Sequence, residues 1–362
     1  MRVVIVQVAR LLAALLSLYA LVLGVSLLLV PPTASDQRLD TARAGSSLFL
    51  TEPKYVFMAR SQLNNVNDKV LLLGASNVLA GFKQAQVQAL LPDTEVHNLA
   101  VGGSNITQIA QIVDLVREVQ SPAARQHNSY VIGLWYGLFA DDKARWFTRD
   151  RHAGDTDIDI EKYRYGFYRR TESGPVPLLP PRYLDTGALL IHPYLVMDRA
   201  TRDATQSLRD LLSGKPTKPT DEQRNAVVIT VPEQQRYLAY WRGYMGSTNS
   251  LTDAPFSALE HLVDGILADG GEVELVDLPI PSWHSRGSAL YADYRRRVDQ
   301  LFNREETRPG VSVFCMADAN NDADYVDEVH PKPRIAPEWA RRLATSLNAH
   351  ATLHRAEAVN DL

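Results

Sequence analysis

Apolar residues follow three different rhythms along this chain. From Leu11 to Val30 they are nearly continuous, "LLAALLSLYALVLGVSLLLV", about 20 residues without a charge and enough to cross the hydrocarbon core of a bilayer. Between Lys69 and Asn348, short apolar runs alternate with stretches whose apolar residues recur every three or four positions. The runs "KVLLLGAS", "TEVHNLAVGG", "SYVIGLWYG", "EVELVDLPIP" and "GVSVFCM" read as strands. Helical spacing places Val78, Leu79, Phe82, Val87, Leu90 and Leu91 in one segment ending at Pro92. It also places Ile106, Ile109, Ile112, Val113 and Val116 on one side of "SNITQIAQIVDLVREV". "APFSALEHLVDGILADGG", "SALYADYRRRVDQLF" and "EWARRLATSLNAH" read as further helices. Such alternation predicts an α/β fold, a three-layer sandwich whose central, mostly parallel sheet has helices on both faces.

The third rhythm is a lapse. Between Phe139 and Asn225 the chain is charged, Pro-rich and weakly periodic, which predicts an insertion over about 140–225, after the third strand and on the face that carries a site. "NAVVITV" reads as a strand of either the core or the insertion, and "LLSGKPTKPTDEQ" as an exposed loop. The resulting division is an anchor over 1–31, a polar linker with a short helix over 32–67, a main domain over 68–350 and a tail over 351–362.

Composition adds exclusions. The 362 residues are 45% hydrophobic and 22% charged, ordinary globular values, and a net charge of -4 gives no basic bias toward nucleic acid. The single cysteine, Cys315, excludes an intrachain disulfide and a cysteine-based metal site, and its apolar run makes it a small core residue. Arg2 and Arg10 precede the long apolar run, while Asp36 and Asp40 follow it. The positive-inside rule therefore puts the N-terminus in the cytoplasm and the bulk of the chain outside. A cleaved signal peptide is the rival, with "PTAS" offering small residues. The run exceeds the usual apolar core of about 7–15 residues, which favours an uncleaved anchor.

Ligands of open α/β sheets sit beyond the carboxyl ends of the strands. Ser76 ends the first core strand there, either as a helix cap or as a nucleophile that needs a base. "DEVHP" supplies one, with Asp327 three residues before His330 after the last strand. His330 at that edge can take the Ser76 proton while Asp327 orients the ring and stabilises the imidazolium. "NLAVGGSN" puts Gly102 and Gly103 after the second strand, where a backbone N–H can approach a developing oxyanion. No G-x-S-x-G, H-E-x-x-H or P-loop is present, and no G-x-G-x-x-G follows a strand. "DANNDAD" at 318–324 lacks the glycine and closing Glu of a calcium loop and reads as a solvated acidic loop. His284 is an ordinary loop histidine, a second base or a substrate contact. Trp135, Trp146 and Trp283 pack in the core or stack on sugar rings.

Ser76 in "GASN", Gly103 in "NLAVGG" and Asp327–His330 in a D-x-x-H pattern, in this order, resemble the SGNH (GDSL-type) hydrolase superfamily over roughly Lys69 to Asn348. The resemblance implies a flavodoxin-like sheet, with Ser76 as nucleophile, His330 as base, Asp327 as its orienter, and Gly103 with the Ser76 N–H as oxyanion donors. The family's third block, G-x-N-D, is here Gly133-Leu134-Trp135-Tyr136, so its Asn is missing. Tyr136 or Asn105 then replaces it, or the hole has two donors. Leu278-Pro279 followed by Tyr291 and Tyr294 resembles an element of the membrane-anchored branch, which includes alginate O-acetylation proteins and the D-alanyl-transfer protein of teichoic-acid operons. That likeness implies a single-pass protein of a bacterial inner membrane with its main domain in the periplasm. It also implies a serine acyltransferase or esterase acting without cofactor or metal on O-acyl, chiefly acetyl, groups of a cell-surface polysaccharide. The expected partner is a multi-spanning membrane-bound O-acyltransferase. The alternative is a non-catalytic assembly or carbohydrate-binding protein on a degenerate scaffold.

Overall fold

Five of the apolar runs form one parallel sheet in a computed structural model that describes residues 2–29, 56, 60–140, 155, 157–165, 168–180, 183–214, 219–246 and 249–360. Its strands are β1 (Lys69–Leu73), β2 (Glu95–Asn98), β3 (Asn128–Leu134), β6 (Glu272–Asp277) and β7 (Val311–Cys315). β4 (Tyr168–Thr171) and β5 (Gly174–Pro177) make a separate antiparallel hairpin. The order β2-β1-β3-β6-β7, with the hairpin set aside, is the doubly wound order 2-1-3-4-5. Its switch point lies between β1 and β3, where Leu72 stands opposite Val131.

Continuous apolar runs follow from burial on both faces, because successive strand residues point to opposite sides. In β1, Leu71 and Leu73 pack in a cluster with Ile109, Ile112 and Val116, whereas Val70 and Leu72 pack in another with Phe82, Trp339 and Leu343. Truncating Leu72 to Ala would cost about 2–5 kcal/mol. The main helices are α1 (Arg2–Leu29), α2 (Ser76–Gly81), α3 (Gln84–Leu90), α4 (Ile106–Val119), α5 (His192–Ser213), α6 (Val231–Tyr244), α7 (Ala254–Ala268), α8 (Ala289–Glu305) and α9 (Ala336–Asn360). α4 and α7 cover one face of the sheet and α2, α3 and α9 the other. α1 is the one helix among the described residues that is long and apolar enough to cross a membrane.

Three expectations need correction. The helical spacing from Val78 to Leu91 forms two helices, broken at Phe82–Lys83. Gly81 is the last residue of the first, where a Cβ would lie 2.1 Å from the Trp339 ring. "NAVVITV" contains no strand. Asn225 closes a short helix and Val231 opens α6, with Pro232 in its first turn and the Glu233 carboxylate accepting from both the N–H and the hydroxyl of Thr230, each at 2.8 Å. Cys315 is exposed at the end of the edge strand β7 instead of buried. Much of the linker and Trp146 lie outside the described residues. In the acidic loop, Asp318, Asp322 and Asp324 pair with Arg342, Arg286 and Arg334, and no metal cluster occurs among the described residues.

Candidate active site

The turn after β1 is built around a glycine. Gly74 has φ +148°, and a Cβ there would meet Val78 Cγ2 at 2.4 Å and the Gly133 carbonyl oxygen at 3.1 Å. Its own carbonyl oxygen accepts from Val101 N–H at 2.8 Å and from the Ser104 hydroxyl at 3.1 Å, which ties the turn after β2 to the turn after β1. This brings the Gly102–Gly103 turn beside Ser76, so that a Cβ on Gly102 would stand 3.9 Å from Ser76 Cβ. Ser76 opens α2, but the cap position is Ala75 and no side chain caps the helix. The hydroxyl is directed elsewhere.

Its partner is His330. Ser76 Oγ lies 2.7 Å from His330 Nε2, across 254 residues of sequence. The other ring nitrogen, Nδ1, stands 2.7 Å from Asp327 Oδ2 and 2.9 Å from Oδ1. A carboxylate only accepts, so Nδ1 carries the proton and Nε2 is free to accept from Ser76. The loop holds Asp327 in place: its Oδ1 also accepts from Val329 N–H at 3.0 Å and His330 N–H at 2.9 Å, and Val326 N–H reaches the His330 carbonyl at 3.0 Å. Burial pushes the Asp327 carboxyl up, but His330 and those backbone N–H groups outweigh it, and the group stays below the usual carboxylate range. Asp327 is therefore ionised beside the His330 ring.

Ser76, Gly103 and His330 line one cleft of about 470 Å³ at the switch point. The backbone N–H groups of Ser76 and Gly103 make no hydrogen bond to other described residues. Asn105 and Tyr136, the two side chains expected to replace the missing Asn, do not line this cleft. Asn105 caps α4, its Oδ1 accepting from Gln108 N–H at 3.2 Å, because a helix start needs that acceptor. Tyr136 is buried, and its hydroxyl donates to His284 Nδ1 at 2.9 Å. His284 Nε2 in turn donates to the Glu328 carbonyl at 2.8 Å. Burial holds the His284 imidazole neutral, lowering its pKa to about 4. The histidine is thus neither a second base nor a substrate contact. It buttresses the loop that carries Asp327 and His330.

Of the remaining wall, only Trp135 is singled out from the sequence. Arg236, Tyr237, Tyr240 and Trp241 of α6 line the cleft together with Trp135 and Glu328. Tyr237, Tyr240, Trp241 and Tyr244 recur at helical spacing in "RYLAYWRGY", a signal that was available. Trp135 and Trp241 meet edge to face at 4.7 Å. Burial and the adjacent Asp327 charge raise the Glu328 carboxyl above its usual range. Trp283 is buried, stacked on His284 at 4.0 Å, and plays a packing role. Tyr294, of the Leu278–Tyr294 element, donates to buried Asp277 at 2.8 Å. No protein-family model matches the chain, and no curated protein matches its sequence.

Proposed function

We propose that this chain is a membrane-anchored serine acyltransferase or esterase of SGNH type, acting outside the cytoplasm on O-acyl groups of a cell-surface polysaccharide. The observation that carries the reading is the hydrogen-bonded series Ser76–His330–Asp327, open to a cleft beside two backbone N–H groups that are unengaged among the described residues. Ser76 Oγ attacks the ester carbonyl as its proton passes to His330 Nε2, and Asp327 stabilises the imidazolium. The N–H groups of Ser76 and Gly103 receive the oxyanion. His330 then gives its proton to the leaving alcohol as the C–O bond breaks, leaving an acyl-Ser76. A sugar hydroxyl or water, deprotonated by His330, releases the acyl group. Aromatic faces of Tyr237 and Tyr240, backed by buried Trp241, give sugar rings a surface to stack on. A multi-spanning acyltransferase that delivers acyl groups is the partner this reading calls for.

The test uses the full chain in detergent with an acetylated polysaccharide and with a small phenyl acetate. Release or transfer of acetyl by the wild type, lost in Ser76→Ala with an unchanged circular dichroism spectrum, is the expected result. Equal activity of the variant would remove the serine from the reaction. A second reading, a carbohydrate-binding scaffold without catalysis, draws on the missing third-block Asn and on the engagement of the Tyr136 hydroxyl by His284. It predicts glycan binding with no acyl release by either protein.

A further inference from the structure

The segment 184–213 carries an uncharged apolar stripe with no protein over it among the described residues. Leu189, Leu190, Tyr194, Met197, Leu208, Leu211 and Leu212 each expose between 40% and 78% of their surface. On α5, Tyr194, Met197, Thr201, Ala204, Leu208, Leu211 and Leu212 fall within about 100° of arc at 100° per residue. Gln206, Arg209 and Asp210 fall on the other side, and Gln206 donates to Asp210 at 2.7 Å. A stripe this long on a water-facing helix marks an interaction surface.

The stripe is continuous with the membrane-spanning candidate. Tyr19 of α1 donates its hydroxyl to the Leu190 carbonyl. Ser26 Oγ donates to the Leu23 carbonyl at 2.8 Å and accepts from His192 Nδ1 at 2.9 Å. Tyr19 precedes the end of α1 by ten residues, about 15 Å at 1.5 Å per residue. Leu189 and Leu190 therefore stand alongside the C-terminal part of α1, where Leu18, Leu21, Val22 and Val25 are themselves exposed and need lipid. His192 opens α5 beside Ser26, four residues and about 6 Å before Val30 ends the apolar run, a depth at which interfacial helices lie.

We infer that residues 184–213 form an interfacial foot: the short helix Leu184–Leu190 dips beside α1, and α5 lies on the bilayer with its apolar stripe in the lipid. The occupant is the bilayer that holds α1, because the hydrogen bonds to Tyr19 and Ser26 fix the start of the stripe at the level of α1's lipid-facing side chains. The inference rests on α1 spanning the membrane and is independent of any chemistry at Ser76.

The test is spin-label accessibility in the full chain, reconstituted in phosphatidylcholine–phosphatidylglycerol vesicles in a Cys315→Ser background. Labels go at Leu208→Cys and Leu211→Cys on the stripe, at Arg209→Cys on the other side, and at Leu16→Cys in α1. Dissolved oxygen concentrates in lipid and a nickel chelate in water. The expected result is labels at 16, 208 and 211 at least about 5-fold more accessible to oxygen relative to nickel than the label at 209. If 208 and 211 match 209 while 16 stays in lipid, the stripe faces water and the foot is overturned, with the anchor intact. If 208 and 211 exclude both reagents, a protein covers them and the lipid occupant is wrong. If 16 itself matches 209, anchor and foot fall together.

Discussion

The parallel sheet and the stretch between β3 and α7, which runs beyond the expected insertion at about 140–225 to take in α6, differ in what they contribute. On the proposed reading the sheet contributes the reactive groups from turns far apart in sequence, tied together by backbone hydrogen bonds such as Val101 N–H to Gly74 O at 2.8 Å. The stretch between β3 and α7 contributes surfaces: the aromatic wall of α6 over the cleft and the apolar stripe of α5 next to α1. Sheet positions are fixed by packing on both sides, so their side chains hold reactive geometry to fractions of an ångström. Positions in that stretch are half open and suit recognition, where contact area counts for more than exact placement. Substitutions in the two regions should therefore affect different parameters.

The largest effect belongs to the sheet. Ser76→Ala and His330→Ala should each lower kcat on any ester at least about 10³-fold, and the double variant should be no worse, because nucleophile and base act as a unit. Asp327→Asn should cost about 10²- to 10³-fold, since the ring loses the acceptor that holds Nδ1 protonated. Steady-state kinetics on the phenyl ester reads all three, and additive losses would mean that the groups act separately.

Next is the buttress behind the site. His284 titrates near pH 4 in the folded chain against an ordinary 6.5. As pH falls below 6.5 the unfolded state binds a proton that the folded state refuses, so stability present above 6.5 is lost toward pH 4. Between pH 7 and pH 5 this histidine should remove about 2 kcal/mol. Urea unfolding at the two pH values should show that loss in the wild type and a loss smaller by that amount in His284→Gln. Equal losses would mean His284 takes up protons in the fold.

The stretch between β3 and α7 should behave differently. Tyr240→Ala, at an exposed cleft position, should raise KM for an acetylated oligosaccharide about 5- to 10-fold while leaving kcat on the phenyl ester within about 2-fold. A fall in kcat on the small ester instead would place α6 in the chemistry and dissolve the contrast. The smallest effect is expected at Tyr136. With its hydroxyl on His284, Tyr136→Phe should cost about 1 kcal/mol of stability and less than about 10-fold in kcat. A loss of about 10²-fold or more would restore the hydroxyl as an oxyanion donor.

Legibility in the sequence follows the same division. The core strands, the helices facing them and the meeting of Ser76 with His330 could be read because period and turn residues encode burial on both faces of a sheet. Ser76 also shows the limit: only geometry could place Ala75 at the cap and free the hydroxyl for the base. "NAVVITV" misled because an apolar run has no period to separate strand from helix, and the Thr230–Glu233 bond decides that a helix begins there. Tyr136 shows another limit. Its hydroxyl suited the missing donor, but it lies on buried His284 and away from the cleft lining, which no spacing encodes.

The most direct measurement of the central claim is covalent capture of the nucleophile by a fluorophosphonate, read by mass spectrometry of the digested full chain. The account predicts one adduct, on the peptide containing Ser76, formed rapidly by the wild type and absent from His330→Ala. No adduct at Ser76, or equal labelling of the wild type and His330→Ala, would contradict it.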